Sequence, residues 1–350
     1  MSGYIKQSIG IDCSKDSFHA CICKLTTDQQ AHFSPVQQFD NNKAGFNQFL
    51  RWVGKTLEKD VPGGYLMEAT GVYYESLAHH LYHAGKPVVV VLPNKVKHFI
   101  KSLNIKTKND PVDARAIAQL GAERKFELWQ PPDSLFLELR QLTRLHEQLQ
   151  CQKVALLNML HSKEFSHGVS SFVLKINKQT IKSIEHQIEK VVQHIQELID
   201  RHSWLKLKME RLQSIKGVGM IAAAVIVAET LGFKLIKNRK QLTSYAGYDV
   251  VERQSGTSVA GKTRISKKGN KHIRRALHFP ALAASRYDQR HAQIYKRINQ
   301  RNDHQTKMVG AVALQRRMLL MMYAIWKSDN FYDPDYHKKI TPEMAGGYTG

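Results

Sequence analysis

Asp110 and Asp113 stand three residues apart in the stretch KTKNDPVDAR, residues 106–115. Pro111 suits the first position of a helix, with Asp110 as N-cap and Asp113 at the third helical position. Both carboxylates would then lie near one helix end, close enough to share a cation. The plainer reading is capping, with oxygen acceptors serving orphan N–H groups at the positive end of the dipole. Other acids converging on the same place would decide between the two. Asp12 and Glu68 are the candidates, each at or near the end of a short apolar run. Four carboxylates suit two Mg2+ ions roughly 3.5–4 Å apart, one helping an attacking oxygen and one a leaving oxygen.

A second chemical group has the opposite sign. From Arg253 to Arg286 there are nine Lys or Arg residues and no Asp or Glu. Glycine and hydroxyl residues interleave with the charge in RQSGTSVAGKTRISKKGNKHIRR, as expected where a backbone closely approaches phosphate. Arg253, Lys262, Arg264, Lys267, Lys268, Lys271, Arg274 and Arg275 are therefore candidate nucleic-acid contacts, against the simpler alternative of a solvated basic face. Ser255, Thr257 and Ser258 are candidate nucleophiles. A bare serine is a poor one, and loop serines usually bond to backbone.

The elements that must position the acids lie in the first third. SIGIDC, residues 8–13, reads as a buried strand carrying Asp12. Phe18, Ala20 and Ile22 alternate as a second strand, and Val36 to Phe39 is the expected third. Phe46, Phe49, Leu50 and Val53 keep helical spacing after a cap at Asn41 or Asn42. Tyr65 to Met67 is the fourth strand, ending at Glu68. Tyr73 to Ala84 reads as a helix stopped by Gly85, and Val88 to Leu92 as a central strand. This order matches a ribonuclease-H-like α/β domain, whose first and fourth strands are neighbours. Asp12, Glu68, Asp110 and Asp113 would then meet at one sheet edge.

Beyond Pro131-Pro132, leucines from Leu135 to Leu160 recur by threes and fours, and Ile181 to Leu198 occupy strict a/d positions. His202, Leu205, Met209 and Leu212 continue the second pattern, giving a 32-residue run about 48 Å long as one helix. Two antiparallel helices joined near Gly168 are expected, as an intramolecular hairpin or a dimerising coiled coil. Ser214 to Gly219 then enters an Ala-rich helix, Met220 to Glu229. That turn is either a helix-hairpin-helix phosphate holder or a tight turn for close helix packing.

The formal charge of +22, from 52 Lys and Arg against 30 Asp and Glu, points to a polyanionic partner, most directly nucleic acid. The uninterrupted apolar runs Met220 to Ala228 and Met318 to Tyr323 are too short to span a bilayer, and Met1 to Gln7 does not read as a signal peptide. The four cysteines lack paired CxxC spacing, so a reduced, cytoplasmic protein without structural zinc is expected.

GIDCSKDSFHACIC, MEATGVYYESLAHHLYHAG, KTKNDPVDARAIAQL, IKGVGMIAAAVIVAE and QSGTSVAGKTRISKKGNKHIRRAL together resemble the transposases of the IS110 and IS1111 insertion sequences, a group that includes the Piv DNA invertases. The resemblance runs in order over roughly residues 5 to 328. It implies an RNase H-like (RuvC-like) DEDD catalytic domain over 1–129, a helical coiled coil over 130–213, a mainly helical C-terminal transposase domain over 214–328, and a tail over 329–350. It places the DEDD set on Asp12, Glu68, Asp110 and Asp113, holding Mg2+, and a catalytic serine on Ser255. It further implies a bridge RNA pairing with donor and target double-stranded DNA, a serine–DNA intermediate, and a dimer assembling to a tetramer with acids and serine from different protomers. A nucleoid-associated cytoplasmic enzyme with no membrane partner follows. Thr257 stands at a position open to serine in relatives, a change that the mechanism tolerates. The competing readings are a RuvC-like hydrolytic nuclease or junction resolvase, a Piv-like site-specific invertase, and a non-catalytic nucleic-acid-binding protein.

Overall fold

The computed structural model describes residues 3–106, 109–234, 236–251, 254–255, 259–260, 264–301 and 307–334, with backbone alone at 254–255, 259–260 and 301. The chain divides into two compact units, Met1–Pro131 and Pro132–Gly350.

The first unit runs β1 Tyr4–Cys13, β2 Ser17–Thr26, β3 Ala31–Phe33, β4 Gln37–Asp40, α1 Lys43–Thr56, β5 Gly63–Glu68, α2 Glu75–His83, β6 Val88–Val91, α3 Pro93–Ser102 and α4 Asp110–Glu123. Its mixed sheet has the order β3-β2-β1-β5-β6, with β4 also pairing with β2. The first and fourth main strands are thus neighbours, as a ribonuclease-H-like order requires. The strand expected at 36–39 is β4, and β3 is an additional short strand before it. Both faces of the sheet are covered, and β6 is an unbroken run of valines, although it ends the sheet instead of running through its centre as expected. Ile9, Ile11, Tyr65 and Met67 pack with Phe46, Phe49, Leu77 and Leu81 of α1 and α2. Leu66 packs on the other side with Phe99 of α3 and Ile117 and Leu120 of α4. Each large side chain buried this way contributes roughly 1.5–3 kcal/mol.

The second unit is mainly helical: α5 Ser134–Glu164, α6 Ser171–Asp200, α7 Ser203–Gln213, α8 Met220–Glu229 and α9 Arg239–Tyr245 precede the short strands β7 Val250–Val251, β8 Gln254–Ser255, β9 Val259–Ala260 and β10 Arg264–Ile265. Then come α10 Lys271–Ala276, α11 His278–Tyr287, α12 Gln289–Arg301 and α13 Lys307–Ser328. The pairs Glu138–His194, Lys153–Glu185 and Glu164–Lys178 show α5 and α6 running antiparallel, and Gly168 in their link has φ +76°. The expected 32-residue run is not one helix. It breaks between α6 and α7 at His202, whose ring Nδ1 lies 3.0 Å from the Leu198 carbonyl oxygen instead of filling an apolar position.

The Ser214–Gly219 turn is a packing device. Gly217 has φ +93°, and a Cβ there would sit 2.6 Å from the Pro280 carbonyl oxygen. Helix α13 is long and apolar enough to cross a membrane by length and composition, which exceeds the limit expected from uninterrupted apolar runs. Half of its apolar window is buried within the unit, where Leu314, Met318, Leu319 and Met322 belong to the core.

Candidate active site

Strand register brings the first two acids together. Ile11 of β1 faces Met67 of β5 in a parallel pair, so Asp12 and Glu68, the next residues along, are neighbours on one face. Two glycines then fix the helix above that face. A Cβ on Gly10 would lie 2.0 Å from the Ala118 amide nitrogen and 2.4 Å from the Ala114 carbonyl oxygen. One on Gly121 would lie 2.0 Å from Ser8 Oγ. Residue 121 therefore sits over residue 8, and residues 114–118 over residue 10. Carried one step further, the N-terminus of α4, with Asp110 and Asp113 in its first turn, comes to the Asp12 end of β1.

His19 reports the same convergence independently. It faces Asp12 across the antiparallel β1–β2 pair, and its Nδ1 lies 3.8 Å from Asp110 Oδ2. Sequence reading missed His19, although the β2 alternation and the hairpin after Asp12 place a residue opposite that acid. The Asp110 side chain is 62% exposed; Asp12, Glu68 and Asp113 are half-buried. Thr70 donates a hydrogen bond to the Glu68 carboxylate.

The expected cap is displaced by one residue. Asn109 is the N-cap, its side chain accepting from the Val112 N–H at 3.0 Å, and Asp110 begins the helix. Asn and Asp cap almost equally well, so spacing could not choose between them. Both carboxylates remain beside the positive end of the α4 dipole.

Burial, and then the charge of Asp12, push the Cys13 thiol up to about 12, and Cys13 packs against the core formed with α1 and α2. The same edge thus carries four carboxylates, whose hard oxygens are of the type that divalent cations take. Among the described residues, no three His, Cys, Asp or Glu side chains are drawn together around one point. The convergence lies in the backbone frame that carries the acids.

Ser255 lies in the second unit, on β8, opposite Val259 of β9. Strands β7 and β10 pair alongside in sequence, Val251 with Arg264. Arg253, Thr257, Ser258 and Lys262 lie outside the described residues. Arg264, Lys267, Lys268 and Lys271 are exposed, and Lys267 has φ +53°. The other two basic candidates have partners within the unit. Arg274 donates to the Ala246 carbonyl at 2.8 Å, and Arg275 pairs with Glu147.

A buried carboxylate anchors this segment. Glu229, 1% exposed at the end of α8, receives Arg144 Nε and Nη2 at 2.7 and 2.9 Å and Asn270 Nδ2 at 2.6 Å. Burial alone would raise its pKa; the bonds from Arg144 and Asn270 and the charges of Arg144 and Arg140 outweigh that and hold it below the usual range. Asn270 also caps α10, accepting from His272 and Ile273 N–H. Gly269 fits where a Cβ would meet Tyr245 O and Gly247 N at 2.6 Å. The end of the basic segment is therefore tied to α5, α8 and α9 by one salt-bridged hub.

Two family models match the chain. A transposase model of the DEDD type named for IS110 covers residues 9–163, and one described as the transposase IS116/IS110/IS902 family covers residues 209–296. The chain is 28% identical over 338 residues to a pilin gene-inverting protein of Moraxella lacunata, covering 95% of this chain and 99% of that protein. It is 24% identical over 253 residues to the transposase for insertion sequence element IS1111A of Coxiella burnetii, covering 64% and 66%. A Thermus thermophilus RuvC structure overlaps 32% of this chain and 90% of its own at 16% identity and a TM-score of 0.26. The strand order, rather than that overlap, carries the description of the first unit.

Proposed function

The chain belongs to the IS110 family of transposases and is an enzyme acting on DNA, and from that premise we propose that it cuts and rejoins donor and target DNA for an insertion sequence, guided by a structured bridge RNA. The observation that carries this reading is the register that sets Asp12, Glu68 and the first turn of α4 at one edge. The acid-free serine segment complements it. We assign residues 1–129 to the catalytic acids, 130–213 to a spacing helical segment, 214–328 to the serine, and 329–350 to a tail.

Asp12, Glu68, Asp110 and Asp113 would hold Mg2+, two ions in this reading, which when bound offsets phosphate charge and acidifies an attacking hydroxyl. Ser255 Oγ attacks phosphorus, the bond to one deoxyribose oxygen breaks, and a serine–phosphate ester forms. The freed sugar hydroxyl takes a proton, while the ester conserves the phosphodiester energy for rejoining. Hydrolysis by water would lose that energy and would leave Ser255 without a task. Arg253, Lys262, Arg264, Lys267, Lys268 and Lys271 hold the DNA backbone by charge rather than by base reading. The enzyme works at the bacterial nucleoid in the cytoplasm, as a dimer that assembles to a tetramer.

Site-specific inversion is the second reading, favoured by the end-to-end likeness to the pilin gene-inverting protein. Sequencing recombination junctions separates excision and insertion from inversion, and sequencing RNA that copurifies with the protein tests guidance. For the chemistry, Asp12→Asn and Asp113→Asn should bind nucleic acid and cut no strand, and Ser255→Ala should form no protein–DNA adduct. Full activity of wild-type protein in chelator would remove the metal from the mechanism. An adduct mapped by mass spectrometry to another residue would remove Ser255.

A further inference from the structure

Away from the serine segment, the second unit contains a recess of about 530 Å³ between the starts of α9 and α12, the end of α13, and residues 330–333. Three guanidinium groups line it, Arg239, Arg290 and Arg317, against one carboxylate, Asp333. Arg317 Nε is buried and has no hydrogen-bond partner among the described residues. An orphaned buried donor of this kind carries a desolvation cost that an anion accepting from it would offset. Burial, then the like charge of Arg290, hold the Arg317 guanidinium below the usual arginine range. Met321 and Ile325 from α13 and Phe331, which is 57% exposed, add apolar surface, and Ser328 and Asn330 add polar groups.

The wall that carries Phe331 is pinned in place. Lys208 and Arg211 pair with Asp329, and the Tyr332 N–H donates to Ser214 Oγ at 2.8 Å. Cations on one side and an aromatic ring held on the other are the two parts of a single-strand binding site: the cations take the phosphate, and the ring stacks a base of any sequence. The recess is of ligand-pocket size, suited to a base that has left its stack rather than to a base-paired duplex.

We propose that this recess holds one unstacked nucleotide of a single-stranded nucleic acid, its phosphate on Arg317, Arg290 and Arg239 and its base against Phe331. The proposal rests on the reading of the chain as a nucleic-acid recombinase and adds where an opened strand is held.

The test is fluorescence anisotropy of the full chain with a short single-stranded oligonucleotide, as DNA and as RNA, and with a duplex of the same length. Phe331→Leu should weaken single-strand binding about tenfold with its salt slope unchanged, as loss of one stack predicts. Arg239→Gln with Arg290→Gln should weaken it and flatten the slope by up to roughly 0.7, the share of one phosphate contact on a single strand. Duplex binding should stay within about twofold of wild type in both. An iodouracil-bearing oligonucleotide on the wild-type chain should crosslink within residues 330–334, a readout independent of how any variant folds. Unchanged binding by Phe331→Leu, an equal loss on duplex, crosslinks only elsewhere, or displacement by inorganic phosphate as effective as by the oligonucleotide would each overturn the proposal. These are binding measurements. Their failure with strand cutting intact would fall on the recess alone, and the absence of cutting with these results intact would fall on the proposed reaction alone.

Discussion

At the scale of single residues, Gly10 and Glu229 do the most to place chemical groups, and neither is itself a reacting group. Gly10 allows α4 to lie on β1 at a distance that excludes any side chain, because its hypothetical Cβ would overlap backbone atoms of Ala114 and Ala118. Backbone cannot move aside as a flexible side chain does. Gly10→Ala should therefore lower stability by about 1–3 kcal/mol in urea unfolding, and should reduce strand cleavage further by lifting Asp110 and Asp113 from Asp12. Cleavage equal to wild type in the folded fraction would show that the acids do not depend on that contact. Glu229→Gln keeps the shape of the hub but leaves Arg144 without its anion. Removing one partner of a buried pair costs about 3–5 kcal/mol, and the half exposure of Arg144 lowers the expectation to about 2–3 kcal/mol. The pH dependence has a definite sign. The folded pKa of Glu229 lies below its ordinary value, so its contribution is full above the unfolded value of about 4.3 and is lost as pH falls through the folded one. The gap in urea midpoint between wild type and Glu229→Gln should accordingly close on acidification. A gap that widens would contradict the hub.

At the scale of elements, the sheet was legible because β2 alternates apolar and polar residues, β6 is four valines in a row, and turn residues separate the strands. Asp12 and Glu68 could be assigned to adjacent strands from order alone. The helix α3 was not foreseen, although Pro93 stands at its first turn, because its exposed face is rich in Lys and His and dilutes the apolar period. Strands β7 to β10 have two residues each and offer no periodicity to read. The break at His202 escaped because heptad spacing continues across it. His19 escaped because pairing across a hairpin is a property of register, which sequence spacing alone does not fix. The α4 cap shows how narrow the margin was, with Asn109 and Asp110 both good caps and the chain using the first. Removing that cap separates helix stability from site placement. Asn109→Ala should cost about 0.5–2 kcal/mol in unfolding, and should impair strand cleavage beyond the loss of folded protein, since both aspartates stand in the turn it secures. Cleavage that simply tracks the folded fraction would mean that the first turn holds without it.

At the scale of the whole molecule, the acids belong to one compact unit and the serine to another, while the charge of +22 spans a single chain. So large an excess releases many counterions when phosphates are neutralised, so DNA affinity should fall steeply and log-linearly with salt. Reversing charge at the exposed Lys267 and Lys268 should flatten that slope, and an unchanged slope would mark the pair as a solvated face. The division of labour permits a sharper test. If the reacting groups come from different copies, a chain lacking only its serine and a chain lacking only an acid each retain the half the other needs. Ser255→Ala and Asp12→Asn proteins should each be inactive alone, and their mixture should regain part of the wild-type recombination. At equal amounts, random pairing in a dimer with two composite sites would make half of the dimers mixed, each with one intact site and one doubly defective site. Recovery should therefore depend on the mixing ratio and peak near equal amounts, which contamination by active enzyme would not do. A mixture as inactive as its components would place the acids and the serine of each site on the same chain, while leaving the serine mechanism to stand on the adduct.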